Sequence, residues 1–199
     1  MKHLKALSLA AVAAASLTVW VGAGTASATV VDCTGGACPT DEVIHAVAEG
    51  LIVLHTPPSD IECGESTIQG TLTNPGSSTT TASGPVTSLS FARCNAEVVT
   101  LENGSFEIHT KTASPDNNGT LTSTGARITT VIVGFHCIYS TSGTDLGTLT
   151  GSATTGANAT LDIEATLPRT GGRSGAFCGS TGLLTGAYHI TTPTGLNIT

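Results

Sequence analysis

The stretch Gly134-Phe135-His136-Cys137-Ile138-Tyr139-Ser140 sets a histidine beside a cysteine behind an apolar run. A histidine is the usual general base for a hydroxyl nucleophile, and Gly172-Arg173-Ser174-Gly175 supplies a serine further along. A cysteine next to it offers either a thiolate or half of a disulfide. Alternation along Arg127–Tyr139 separates these roles. Val131, Val133, Phe135, Cys137 and Tyr139 fall on one face of a strand, and Ile128, Thr130, Ile132, Gly134, His136 and Ile138 fall on the other. Cys137 then joins a core row, and His136 points away from it.

The nucleophile reading fails on spacing. Chymotrypsin-like serine proteases place roughly a hundred residues or more between base and nucleophile. Here His136 and Ser174 are 38 apart, and Arg173 stands where an acidic residue belongs. No Gly-x-Ser-x-Gly elbow occurs either. No catalytic, cofactor-binding or metal-binding residue is assigned, and the chain is read as not an enzyme. Leu167-Pro168-Arg169-Thr170-Gly171 matches the LPxTG sorting motif, but the 28 residues after Gly171 hold no apolar span with a basic tail. Pro168 is instead expected to end a strand. The sequons at Asn103, Asn118, Asn158 and Asn197 arise readily in a threonine-rich chain. His45, His55, His109 and His189 are scattered and read as solvent-facing strand residues, not ligands.

All six cysteines, Cys33, Cys38, Cys63, Cys94, Cys137 and Cys178, are disulfide candidates. They permit many connectivities, and the sequence alone does not choose among them. Closeness along the chain suggests Cys33–Cys38, Cys63–Cys94 and Cys137–Cys178. No close CxxC pair argues for a metal.

Residues 1–28 carry Lys2 and Lys5, an apolar run from about Leu7 to Val21, and Ala26-Ser27-Ala28. This is the layout of a helical secretory signal peptide cleaved after Ala28. The remaining 29–199 form one domain in this reading, without an integral membrane span. That part has five basic residues against 14 acidic ones, a net of −9 with neutral histidine. Such a balance disfavours nucleic acid and anionic lipid as partners. It contains no Trp, which weakens a sugar-stacking lectin.

Positioning elements follow from composition. Threonine and glycine dominate, and good helix formers are sparse, so strands and turns are expected. Asp41–His55 reads as a strand with Ile44, Ala46, Ala48, Gly50, Ile52 and Leu54 on one face; Gly50 weakens a helix there. Asn103-Gly104 predicts a tight hairpin pairing Leu101 with Phe106 and Val99 with Ile108. Ala159, Leu161, Ile163, Ala165 and Leu167 alternate with Thr160, Asp162, Glu164 and Thr166, a strand with one wet face. GTLT recurs at Gly70, Gly119 and Gly147 with spacings of 49 and 28, too irregular for a solenoid. These are read as strand starts after turns, and Ser77–Gly84 and Gly151–Ala157 as loops. The sum is an all-β fold: a single antiparallel, disulfide-stapled β-sandwich of about nine or ten strands.

Several phrases in order resemble a family of exported bacterial proteins, the protein activators of alkane oxidation, also described as biofilm surface or fibre proteins. They are Gly70-Thr71-Leu72-Thr73-Asn74-Pro75, Val86-Thr87-Ser88-Leu89-Ser90-Phe91 with Cys94, and Gly119-Thr120-Leu121-Thr122-Ser123-Thr124-Gly125-Ala126. Gly134–Tyr139, Ile163–Arg169 and the tail Leu184–Thr194 complete the match, from about Cys63 to the C-terminus. The resemblance implies a secreted, surface-associated β protein without catalytic residues. Its roles there would be adhesion, biofilm formation or the handling of apolar growth substrates. The functional expectation is a secreted or cell-surface structural or adhesive protein that self-associates or meets a surface partner. The alternatives are a small apolar-ligand or hydrocarbon-binding module and, last, a secreted hydrolase. Leu183–Ile198 is the segment expected to exchange between copies.

Overall fold

The computed structural model describes residues 29–34, 36–57, 59–77, 79–110, 118–152, 157–172 and 177–199. The expected signal peptide at 1–28, residues 173–175 of the Gly172–Gly175 stretch, and parts of the two loop segments lie outside them. Among the described residues there are fifteen strands: β1 Val31–Cys33, β2 Gly36–Ala37, β3 Glu42–Ala48, β4 Ile52–His55, β5 Ile61–Leu72, β6 Ala82–Cys94, β7 Glu97–Glu102, β8 Ser105–Thr110, β9 Asn118–Thr124, β10 Arg127–Ile132, β11 Phe135–Ser140, β12 Thr144–Thr150, β13 Ala159–Gly172, β14 Thr181–Thr192 and β15 Asn197–Ile198. The all-β class is as expected; the strands are more numerous than nine or ten, and β5, β6, β13 and β14 are long, at 12 to 14 residues.

Every strand pairing is antiparallel, and the pairings close on themselves. At one end, β13, β14, β3, β5, β6, β8, β9 and β12 pair in turn, and β12 returns to β13. This is a ring of strands without a free edge. At the other end β4 takes the place of β3 between β14 and β5, while β11, β10 and β7 extend outward from β13. The long strands β5, β6, β13 and β14 run through both ends. The two layers anticipated from the sequence are thus opposite walls of one sheet. A small sheet of β15, β1 and β2 lies across the first end, with Val31, Leu196 and Ile198 buried beneath it.

Inward rows of alternating side chains make the core. Ala159, Leu161, Ile163, Ala165 and Leu167 of β13 are all buried, as their period predicted. The Asp41–His55 face is also kept, but over two strands: Gly50, at φ 91°, breaks the run between β3 and β4.

Four local expectations are corrected. Asn103-Gly104 does not turn a β7–β8 hairpin, because β7 pairs with β10 and β8 with β6 and β9. Only Gly104 has positive φ there, so the type I′ geometry is absent. Phe106 and Ile108 are buried, whereas Val99 and Leu101 are exposed. The run Arg127–Tyr139 is two strands joined by Val133-Gly134, both at positive φ (50° and 77°). A two-residue turn pairs residues of opposite parity, so Ile128, Thr130 and Ile132 join Cys137 and Tyr139 inside, and Val133 is outside. Pro168 does not end its strand. It is the last β13 partner of β14, after which β13 continues beside β11. Of the three GTLT glycines, Gly119 sits near a strand start, while Gly70 and Gly147 lie inside strands at register shifts.

Tyr188 makes the core sensitive to pH. Tyr188 is buried and donates its hydroxyl hydrogen bond to Ser66 Oγ at 2.8 Å, and Ser66 donates to the Ser90 carbonyl at 2.8 Å. Burial pushes the Tyr188 phenol up to about 12, against the opposing pull of the Ser66 contact. Both folded and unfolded chains hold this proton below pH ~10; above it the unfolded chain releases it first, so stability falls as pH rises towards 12. We expect a loss of about 2–3 kcal/mol across that window in urea titrations. Tyr188→Phe should flatten the slope. An equal slope in the variant would show that the decline has another source.

Candidate functional site

Chemistry-bearing side chains fall into two places, the outer wall and the barrel interior. On the wall, His55 ends β4 and faces β14. Its Nε2 lies 3.2 Å from Thr185 Oγ1, and its Nδ1 lies 3.1 Å from Asp60 Oδ2. The order hydroxyl, imidazole, carboxylate is the order that activates a nucleophile. Its setting is not. His55 and Asp60 are 44% and 50% exposed, and Thr185 sits mid-strand between β13 and β4. A wall of ladder-paired strands commits its backbone N–H groups to neighbouring strands, leaving no converging donors for an oxyanion. The relay ties the Asp60 segment to the wall and contributes at most about 1 kcal/mol as an exposed pair.

The remaining histidines behave similarly. His189 contacts Glu49 at 2.9 Å, His109 contacts Glu107 at 3.4 Å, and His45 Nδ1 lies 2.8 Å from Thr191 Oγ1. Each is on an outward row, as expected of solvent-facing strand residues. His136 is likewise exposed. Among the described residues, no group of three or more His, Cys, Asp or Glu is placed to hold a metal ion. No described helix is long and apolar enough to cross a membrane.

The cysteines form Cys33–Cys38, Cys63–Cys94 and Cys137–Cys178, with Cα separations of 4.8, 3.9 and 5.6 Å. Cys63 and Cys94 are direct cross-strand partners on β5 and β6. Cys137, on β11, is fully buried against Cys178, which precedes β14. Three disulfides fit an oxidising compartment. Beside the last of them, Phe135 and Phe177 stack with ring centroids 4.8 Å apart. Beyond these rings stands the Val133-Gly134 turn, whose valine is 75% exposed. No family model, curated protein or solved structure matches this chain. Its site therefore has to be read from geometry alone.

Inside, two cavities of about 70 Å³ each adjoin, sharing Ile68, Val86, Ser123 and Leu146. A third, of about 10 Å³, shares Phe91, Ile128 and Leu184 with the first and reaches Thr130 and Cys63. The linings are almost wholly apolar. Tyr139 is an exception: it lines the first cavity, is fully buried, and its hydroxyl has no hydrogen-bond partner among the described residues. Burial pushes its phenol up, with the nearby Arg169 charge acting the other way. Thr130, lining the third cavity, also has a buried hydroxyl without a partner. Sequence reasoning placed Tyr139 in the core but assigned it no role. The signal it had was a polar tip in an otherwise apolar row.

Proposed function

We propose that the chain is an exported structural or adhesive protein of the cell surface, working through its exterior and associating with copies of itself at the Val133 end of the barrel. The observation that carries this reading is Val133. A β-branched residue at φ 50° in a two-residue turn is strained relative to Asn or Gly, and here it is also the most exposed large apolar residue described. Holding a strained, apolar tip against water lowers the stability of a lone molecule and makes sense where the tip is covered by another. The stacked Phe135 and Phe177 and the Cys137–Cys178 bond fix its base. This reading places association at the face of this end; the strand exchange expected of Leu183–Ile198 would have to break the pairing of β14 on both sides within the ring.

Val133→Asn tests the reading directly. The variant should be more stable by about 1 kcal/mol in denaturant unfolding, since Asn accepts this conformation. In light scattering and electron microscopy of the purified, oxidised chain, the parent should form concentration-dependent assemblies that the variant loses. A parent chain that stays monomeric at high concentration would remove the proposal.

A second reading, a binder of small apolar ligands, is favoured by the adjoining apolar cavities in the barrel interior. Adhesion at one end and binding inside are compatible.

A further inference from the structure

The cavities are not scattered through the core. They follow one another along the barrel, from Leu196 under the small sheet, past Ile68 and Leu146, to Thr130 and Cys63 near the opposite end. A row of connected voids suits a linear occupant better than a round one. About 10–15 Å³ of such space admits one water-sized group, so each larger cavity takes several methylene-sized groups.

Two unpartnered hydroxyls stand along this row, those of Thr130 and Tyr139. Among the described residues the Tyr139 hydroxyl is buried without a partner, an unfavourable state for a donor. Tyr139 is also the register partner of Arg169, whose guanidinium donates to the Cys178 carbonyl at 3.1 Å. A donor hydroxyl with a cation nearby favours an oxygen that accepts hydrogen bonds.

The wall beside this cavity has a weak seam. From residue 87 to its end, β6 pairs with β5 on one side, and β7 pairs with β10 alone. Between β6 and the segment formed by β7 and the Asn103-Gly104 link, the contacts are individual bonds, not a ladder. Thr100 Oγ1 donates to the Leu89 carbonyl at 2.7 Å, Asn103 Nδ2 donates to the Thr87 carbonyl at 2.9 Å, and Val86 N donates to the Gly104 carbonyl at 3.0 Å. Leu89, Phe91 and Asn103 line the first cavity, so parting this seam opens it.

We infer that the barrel interior binds a single-chain amphiphile, a medium-chain alcohol or fatty acid, with its apolar tail along the row of cavities, its head oxygen at the Tyr139 hydroxyl, and access through the β6–β7 seam. This rests on the second reading above and adds the head group and the route. The ligand gains a hydrogen bond inside an apolar enclosure, where an unmatched donor is most costly. An alkane fills the same space without satisfying the phenol.

The test uses the full disulfide-bonded chain with n-octane, 1-octanol and octanoate, followed by calorimetry and by NMR of the cavity methyl groups. The oxygen-headed ligand should bind about three- to tenfold more tightly than octane, and Tyr139→Phe should abolish that preference. Preference for octanoate over 1-octanol would place the charge of Arg169 at the head; the reverse would assign the contact to Tyr139 alone. Equal binding of octane and both oxygen-headed ligands by the parent chain overturns this inference and spares the second reading. Failure of all three to bind overturns both. Thr100→Val with Asn103→Ala loosens the seam and should speed ligand release about threefold or more; an unchanged release rate rejects the seam as the route.

Discussion

Replacing Gly84 with alanine should destabilise the protein by at least about 3 kcal/mol, enough to threaten folding in a domain of ordinary stability. Gly84 lies in β6 where that strand passes from β5 to β8, opposite Phe106. An added methyl would overlap the carbonyl oxygen of Thr71 and stand 3.2 Å from the Thr73 amide nitrogen. Neither obstacle is a flexible side-chain end. Thr71 is backbone-paired to Val43 on its other side, so relief requires moving β5, β6 and β3 together. Gly50→Ala provides the control. Its φ of 91° is also costly for alanine, but nothing lies within 4 Å of the added carbon. That substitution should cost about 1 kcal/mol. Urea unfolding of both variants separates backbone crowding from conformational strain. Equal losses would mean that the close approach at Gly84 carries no special penalty.

The disulfides should rank by the length of chain they close. Cys137–Cys178 spans 41 residues and Cys63–Cys94 spans 31, whereas Cys33–Cys38 spans five. Loop-closure entropy in the unfolded chain then predicts losses of about 4 kcal/mol for each of the first two and about 2 kcal/mol for the third. Cys137→Ala with Cys178→Ala should accordingly lower the thermal midpoint by roughly 10 °C. It should also free the Phe135–Phe177 stack from its anchor, so the same variant is expected to lose assembly at the Val133 end. Cys33→Ala with Cys38→Ala should leave assembly intact, since that pair belongs to the small sheet at the opposite end. Denaturation midpoints and light scattering on the three paired variants decide the matter. If the Cys33–Cys38 variant were the most damaged, the chain-entropy account would be wrong.

Much about this protein was readable from local pattern. A period of two over Ala159–Leu167 reports a strand with one dry and one wet face, and that row is the buried spine of β13. The histidines His45, His55, His109 and His189 were read as solvent-facing strand residues and stand on the outer wall. The disulfides joined the cysteines nearest in the chain, as closeness suggested. Threonine-rich composition and scarce helix formers were enough for the all-β class.

Partner choice was not readable in this way. Asn103-Gly104 has the chemistry of a hairpin turn, yet β7 and β8 part there and enter different stretches of wall. Val133-Gly134, with weaker turn chemistry, is the tight turn. Alternation states that a strand has an inside; it does not state which strand lies beside it, since ladder bonds are alike for every neighbour. Closure of the sheet, the row of cavities it encloses and the orphaned hydroxyl of Tyr139 depend on where distant strands meet. Only the tertiary structure decides them, because packing energies across the barrel, and not preferences within any short segment, select one arrangement from many with the same local pattern.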